Sequence, residues 1–232
     1  MNSSLESIKF QLRKKAIVFE TGGIRPTNDI GESWIGKVCW QNPNEQQPIG
    51  KNGKPMIPLA TIFVEESDYV PKALKNIKMI SIFMDQDINI SYGVENYVEW
   101  FAIKTYESLE QLVPCNYTCD QIKPFPLVPR YVNDEFPLID DIDDILLDTI
   151  EKVQENLGIE YDFDIFENNT VAHKLGGYPS SINGGLVYDK GDEFVLQIIS
   201  DEKANIYIRE DGIFYFGYNP ISKEWSVICD YY

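Results

Sequence analysis

The sequence predicts an α+β fold, mainly antiparallel β-sheets with a few flanking helices and an internal duplication into two pseudo-repeats. Three observations carry that expectation. The run His173-Lys174-Leu175-Gly176-Gly177-Tyr178-Pro179, then Phe194–Ile198, then Asp211–Phe216, has an eroded earlier version in Ser33–Lys37, Pro58–Ile62 and Met79–Phe83. Most apolar runs are short and closed by Gly, Pro, Asn or Asp, as strands are. Only two stretches carry helical spacing. The chain reads as one domain over 1–232, with pseudo-repeats at about 16–110 and 160–232 joined by a proline-rich crossing and a helix near 139–157.

In chain order, Leu5–Lys14 suits a short helix with Leu5, Ile8 and Leu12 on one face and Ser4 as N-cap. Ala16–Phe19 reads as a buried strand stopped by Thr21-Gly22-Gly23, and Arg25–Asp29 as loop. Trp34–Trp40 is expected as one strand, and Gln41–Pro58 as a long loop rich in Asn, Gly, Pro and Gln. Leu59–Val64, Met79–Met84 and Glu95–Lys104 read as strands. Pro114, Pro124, Pro126, Pro129 and Pro137 argue against a helix or a central strand and mark the crossing between the halves.

The best helix spans Ile139–Leu157, with Ile142, Leu146, Ile150, Val153 and Leu157 in phase and Gly158 at its C-terminal end. The acidic opening, Asp140-Asp141-Ile142-Asp143-Asp144, complements the positive end of the helix dipole. As a calcium loop it fails, because Ile142 and Ile145 fall where an oxygen ligand and a glycine are required. Strands are expected at Tyr161–Phe166, Phe194–Ile199, Asn205–Ile208, Ile213–Tyr218 and Trp225–Asp230, with Asp211-Gly212 as a turn.

The 232 residues hold 20 Lys plus Arg against 37 Asp plus Glu, a net charge of −17. Such a surface repels phosphate backbones and anionic lipid, which speaks against nucleic-acid and membrane partners, and it steers basic proteins toward it. With no apolar run long enough for a signal peptide or a span, a soluble, cytoplasmic protein is expected. Cys39, Cys115, Cys119 and Cys229 are too sparse for a disulfide framework, and the Cys115–Cys119 spacing matches neither a redox pair nor a zinc site. No metal and no cofactor is expected.

His173 is the only histidine, which rules out a His-rich zinc site. It could act as a base with Asp201 or Glu202. A nucleophile at Ser180 or Ser181 would lack the Gly-x-Ser-x-Gly elbow. Gly176 and Gly177, followed by Tyr178, form a turn whose backbone amides could face a ligand, though no Walker or dinucleotide pattern accompanies them. Gln197, in an apolar strand, must find hydrogen-bond partners, either backbone across the sheet or a ligand.

The blocks Arg25–Asp29, Ser33–Val38, Lys54–Met56, Ile122–Leu127, Lys174–Pro179, Leu196–Ile198 through Asp201, and Gly212–Gly217 resemble the YwqG-like family of bacterial proteins, across about residues 16–232. That resemblance implies an α+β fold with internal duplication and brings no established activity, cofactor or catalytic residue. Genes of this kind often lie among polymorphic toxin and immunity genes, so the resemblance implies a toxin-neutralising or partner-binding role. The N-terminal copy has Thr61 where the C-terminal copy has Gln197, and it lacks the second glycine after Gly36. A site is therefore expected in the C-terminal copy or at the seam between copies. The function expected is an intracellular protein-binding module, an immunity-type factor engaging a basic partner such as a toxin. The alternative is a hydrolytic enzyme using His173 with Asp201 or Glu202.

Overall fold

A computed structural model describes residues 2–90, 96–142, 144–161, 165–166, 168–186, 188 and 191–232. Two helices, α1 (Asn2–Leu12) and α2 (Asp144–Leu157), flank twelve strands. The first six strands are β1 (Lys14–Thr21), β2 (Ser33–Ile35), β3 (Val38–Gln41), β4 (Ile57–Phe63), β5 (Met79–Met84) and β6 (Phe101–Tyr106). The rest are β7 (Val113–Tyr117), β8 (Phe125–Glu135), β9 (His173–Gly176), β10 (Glu193–Ile199), β11 (Ile213–Tyr218) and β12 (Trp225–Asp230). Ten of them form one sheet in the order β12-β11-β10-β9-β1-β8-β2-β4-β5-β6, and β3 pairs with β7 in a second. Every pairing between these strands is antiparallel. Outward from the central β1–β8 pair, each side presents a short strand and then a three-strand meander.

Apolar side chains at alternate strand positions set the curvature. Ile17, Leu175, Leu196, Phe214 and Phe216 from one side meet Leu59, Ile62, Ile80 and Ile82 from the other in a single core. Leu74 and Ile77, on the connection between β4 and β5, belong to the same cluster. The sheet is nearly closed, like a barrel. Its edges approach where the Tyr97 N–H donates to Val227 O at 2.6 Å, and where Phe101 meets Phe214 and Phe216 edge-on at 5.1 and 5.6 Å. A satellite core joins Ile8 and Leu12 of α1 to Ile150 of α2, Phe136 and Tyr161. Ile150 is fully buried, worth about 2 kcal/mol of hydrophobic transfer. Among the described residues no helix is long and apolar enough to cross a membrane.

Several expectations are corrected. The strand expected over Trp34–Trp40 breaks into β2 and β3 at Gly36, which has φ +72° and where a Cβ would lie 2.8 Å from Lys123 O. The proline-rich stretch is a central strand after all, because β8 carries its prolines where no donor is needed. Gly22 N–H donates to Pro126 O, so by the alternation of the ladder Pro129 turns its nitrogen away from β1. It turns it toward β2, whose pairing with β8 covers only Phe125–Leu127. Pro126 in turn faces Gly22, one residue past the end of β1.

The expected strand at Glu95–Lys104 is a 3₁₀ turn, Val98–Trp100, followed by β6, and Glu95 lies outside the described residues. The long helix is split into a 3₁₀ turn, Ile139–Asp141, and α2, because Ile142 is extended with ψ 136°. Ser4 falls inside α1 rather than capping it. The strand expected at Tyr161–Phe166 lies partly outside the described residues, and the Phe166 N–H donates to Tyr161 O at 2.6 Å. Asn205–Ile208 is not a strand, because Asn205 adopts φ +58° within a tight turn closed by the Asp201–Ile206 bridge.

Candidate functional site

Successive residues of a strand point to opposite faces, and this divides the expected site residues into two groups. On β9 and β10, Leu175 opposes Leu196 toward the core, while Lys174 opposes Gln197 on the other face. His173 shares the face of Leu175. His173 and Gln197 therefore do not converge.

On the core side, His173 is buried and joins Asp201, with Nε2 and Oδ2 3.1 Å apart. The Ile199 N–H donates to His173 Nδ1 at 3.2 Å. Nδ1 must then be the acceptor, and the ring proton sits on Nε2 and points at Asp201. Asp201 also accepts from Thr21 Oγ1 at 2.5 Å and from the Ala204 N–H at 3.1 Å. Burial alone would raise its pKa. The hydrogen bonds from His173, Thr21 and Ala204 outweigh that and hold the carboxyl well below the usual range. The group ties β1, β9 and the 201–206 turn together. Both imidazole nitrogens are engaged, and among the described residues no hydroxyl bonds to the histidine. Glu202 is exposed and stands apart from this group.

On the outer face, Lys174 and Glu135 form an ion pair at 2.8 Å with both side chains 0% exposed. Lys174 Nζ also donates to Asn169 Oδ1 at 3.3 Å and Ser180 Oγ at 3.1 Å. Glu135 accepts the Thr170 N–H at 2.9 Å. Burial lowers the Lys174 pKa, against the pull of Glu135. Gln197 accepts the Ser180 N–H and donates to Ala172 O at 2.9 Å, so the backbone alternative holds for it.

Ser180 Oγ has four neighbours: Lys174, Gln197 Nε2 at 3.2 Å, Asn169 Oδ1 at 2.6 Å and Thr170 O at 2.9 Å. Its donor and both lone pairs are used, which leaves no approach for an electrophile. This network, invisible as motif spacing, is what sequence reasoning missed. The only signal was Gln197, a polar residue in an apolar strand, whose partners turn out to be Ser180 and Ala172 O.

Gly176 and Gly177 have φ +79° and +70°. A Cβ on the first would lie 2.7 Å from Tyr69 O, and on the second 2.7 Å from Glu135 Oε2. At both positions a side chain would collide, with the backbone of Tyr69 at the first and the carboxylate of Glu135 at the second. Tyr178 donates its hydroxyl to Leu12 O at 2.5 Å, fastening the end of α1, and the Lys14 ammonium stands 4.0 Å from its ring centre.

Of five surface clefts, four have at least one carboxylate and no Lys, Arg or His among their described lining residues. One, of about 390 Å³, sits over the central β1–β8 pair, floored by Ile17, Phe19 and Leu127 and bordered by Asp29, Glu32 and Glu65. Glu32 accepts the Thr27 and Asn28 N–H groups at 3.0 and 2.9 Å, so it shapes the loop. Glu65 accepts from Tyr131 OH at 2.8 Å. Asp29 is exposed, with no partner for its carboxylate among the described residues. Another, of about 690 Å³, lies at the sheet seam beside β6.

No protein-family model matches the chain, and no curated protein matches it.

Proposed function

We propose that this chain is a protein-binding module that engages a basic partner. The observation that carries the reading is that two clefts set two or three carboxylates, Asp192 and Glu224 in one and Asp29, Glu32 and Glu65 in the other, beside apolar side chains with no base among their described lining residues. A lysine or arginine of a partner can lay its aliphatic stem on Ile24, Phe63 and Pro129, which also line this cleft, and set its charge against Asp29 and Glu65. The net charge of −17 adds long-range steering. An immunity-type role inside the cell, a YwqG-like relationship and descent by duplication belong to the same reading. The strand succession mirrored about β1–β8 supports the last of these.

The hydrolytic alternative has less support, since both His173 nitrogens and the Ser180 hydroxyl are committed to internal bonds. Calorimetric titration with lysozyme, a basic protein, and with a lysine-rich peptide tests the binding reading. Saturable binding at low salt, weakened by Asp29→Asn with Glu65→Gln, is expected. Equal affinity for an acidic peptide of the same length would overturn it.

A further inference from the structure

The ten-stranded sheet ends in two edges that meet without pairing along their length. β6 and β12 face each other across a seam tied at two points. At one, the Tyr97 N–H donates to Val227 O and Val227 returns its N–H to Asn96 Oδ1 at 3.0 Å. At the other, Lys223 pairs with Glu107 at 3.1 Å on the exposed surface. Between the ties lies the cleft of about 690 Å³, with Val98, Phe101, Ile103 and Trp225 on its walls and Asp192 and Glu224 on its rim.

Part of the β6 backbone along this cleft is unpaired among the described residues. The Asp85 N–H donates to Trp100 O, and the β5–β6 register continues through Phe83↔Ala102 and Ser81↔Lys104. In an antiparallel ladder alternate residues turn their amides to opposite sides. Ile103 and Thr105 therefore direct N–H and C=O into the seam, where neither finds a partner among the described residues. Across the gap Asn219 N–H donates to Glu224 O, so Trp225 turns its amide toward the same space. An edge left in this state is a template for another strand.

We propose that the β6 edge receives an extended segment of a basic partner protein as an added strand within this seam. The proposal rests on the basic-partner reading above and adds to the β1–β8 cleft a second contact, made by main chain. Main-chain bonds to Ile103 and Thr105 give the register, as in other cases of strand addition. Alternate side chains of the guest then fall on Phe101, Ile103 and Trp225, and the intervening ones on the side of Asp192 and Glu224. The second set is basic, to complement the charge of Asp192 and Glu224. A second copy of this chain is disfavoured as guest by its own net charge of −17.

The test is amide NMR on the full chain, titrated with a capped Lys-Val-Lys-Val-Lys-Val peptide, its Glu-Val counterpart, and a Lys-Val peptide N-methylated at alternate residues. Saturable shifts at Ile103, Thr105 and Trp225 are expected with the first peptide alone, together with slowed hydrogen exchange at Ile103 and Thr105. Two lost main-chain bonds should weaken the N-methylated peptide about tenfold or more. Asp192→Asn with Glu224→Gln should also weaken the unmodified peptide. Ile103→Pro removes a donor that faces the seam and should abolish binding in a folded protein. If that variant does not fold, the N-methylated peptide decides alone. Binding that shifts only residues over β1–β8, or binding of lysozyme without binding of the peptide, would overturn strand addition and leave the basic-partner reading standing. Failure of both probes to bind would overturn both.

Discussion

Replacing Lys174 with Met removes one half of an ion pair that is closed off from solvent. Both side chains are 0% exposed, and Lys174 supplies hydrogen bonds to Glu135, Asn169 and Ser180. After the substitution Glu135 keeps the Thr170 N–H but loses its counter-charge. Stranding a buried charge in this way costs about 3–5 kcal/mol. For a chain of this size that lowers Tm by about 2–4 °C per kcal/mol, or roughly 6–20 °C in all. Urea unfolding with an unchanged m value would measure it. In Lys174→Met/Glu135→Gln the stranded charge is gone, so the double variant should recover at least about 1.5 kcal/mol relative to the sum of the singles. A loss below about 1 kcal/mol for Lys174→Met would fall in the range of exposed pairs and refute the burial of this one.

Other substitutions separate the remaining groups. Because Asp201 is held ionised by its partners, it contributes stability that is complete above its unfolded pKa of about 4 and is lost as pH falls toward the depressed folded value. Asp201→Asn should therefore be destabilised at neutral pH and should flatten the acid limb of the stability curve, whereas the exposed Glu202→Ala should stay within about 0.5 kcal/mol of wild type. Gly176→Ala forces a left-handed backbone, about 1–2 kcal/mol, and adds the collision with Tyr69 O. Gly23→Ala, at φ +90° with nothing within 4 Å, should pay the backbone part alone, and thermal melts of the two would compare them. Burial pushes the Cys39 and Cys229 thiols up to about 12 and Cys115 up to about 11. At pH 8 a thiol of pKa 12 is ionised to roughly one part in ten thousand, so Ellman's reagent should modify these three mainly after denaturation. Rapid native labelling of Cys39 would contradict that.

How far the sequence reached depends on whether a feature is local. Met79–Met84 and Ile213–Tyr218 were legible to the residue, because an apolar run closed by turn residues decides its own conformation. The break at Gly36 was not, since the left-handed φ matters only where Ile122 and Lys123 press against it. Nor was β8, whose prolines look disqualifying until the length of β2 and the end of β1 are known. Among the candidate residues, His173 and Asp201 do meet. Gln197 found its partners on the opposite face, and Glu202 stands apart.

The sequence by itself determined a mainly antiparallel, sheet-rich chain with few helices, its acidity, and an apolar strand that had to satisfy a buried amide. Those follow from composition and short-range periodicity, which no distant contact can change. Tertiary structure alone decided that Lys174 and Glu135 would meet beneath Ser180, that the two halves would share one core, and that the sheet would stop short of closing beside β6. Each of these joins residues far apart in the chain, and which of them become neighbours is settled by strand order and register.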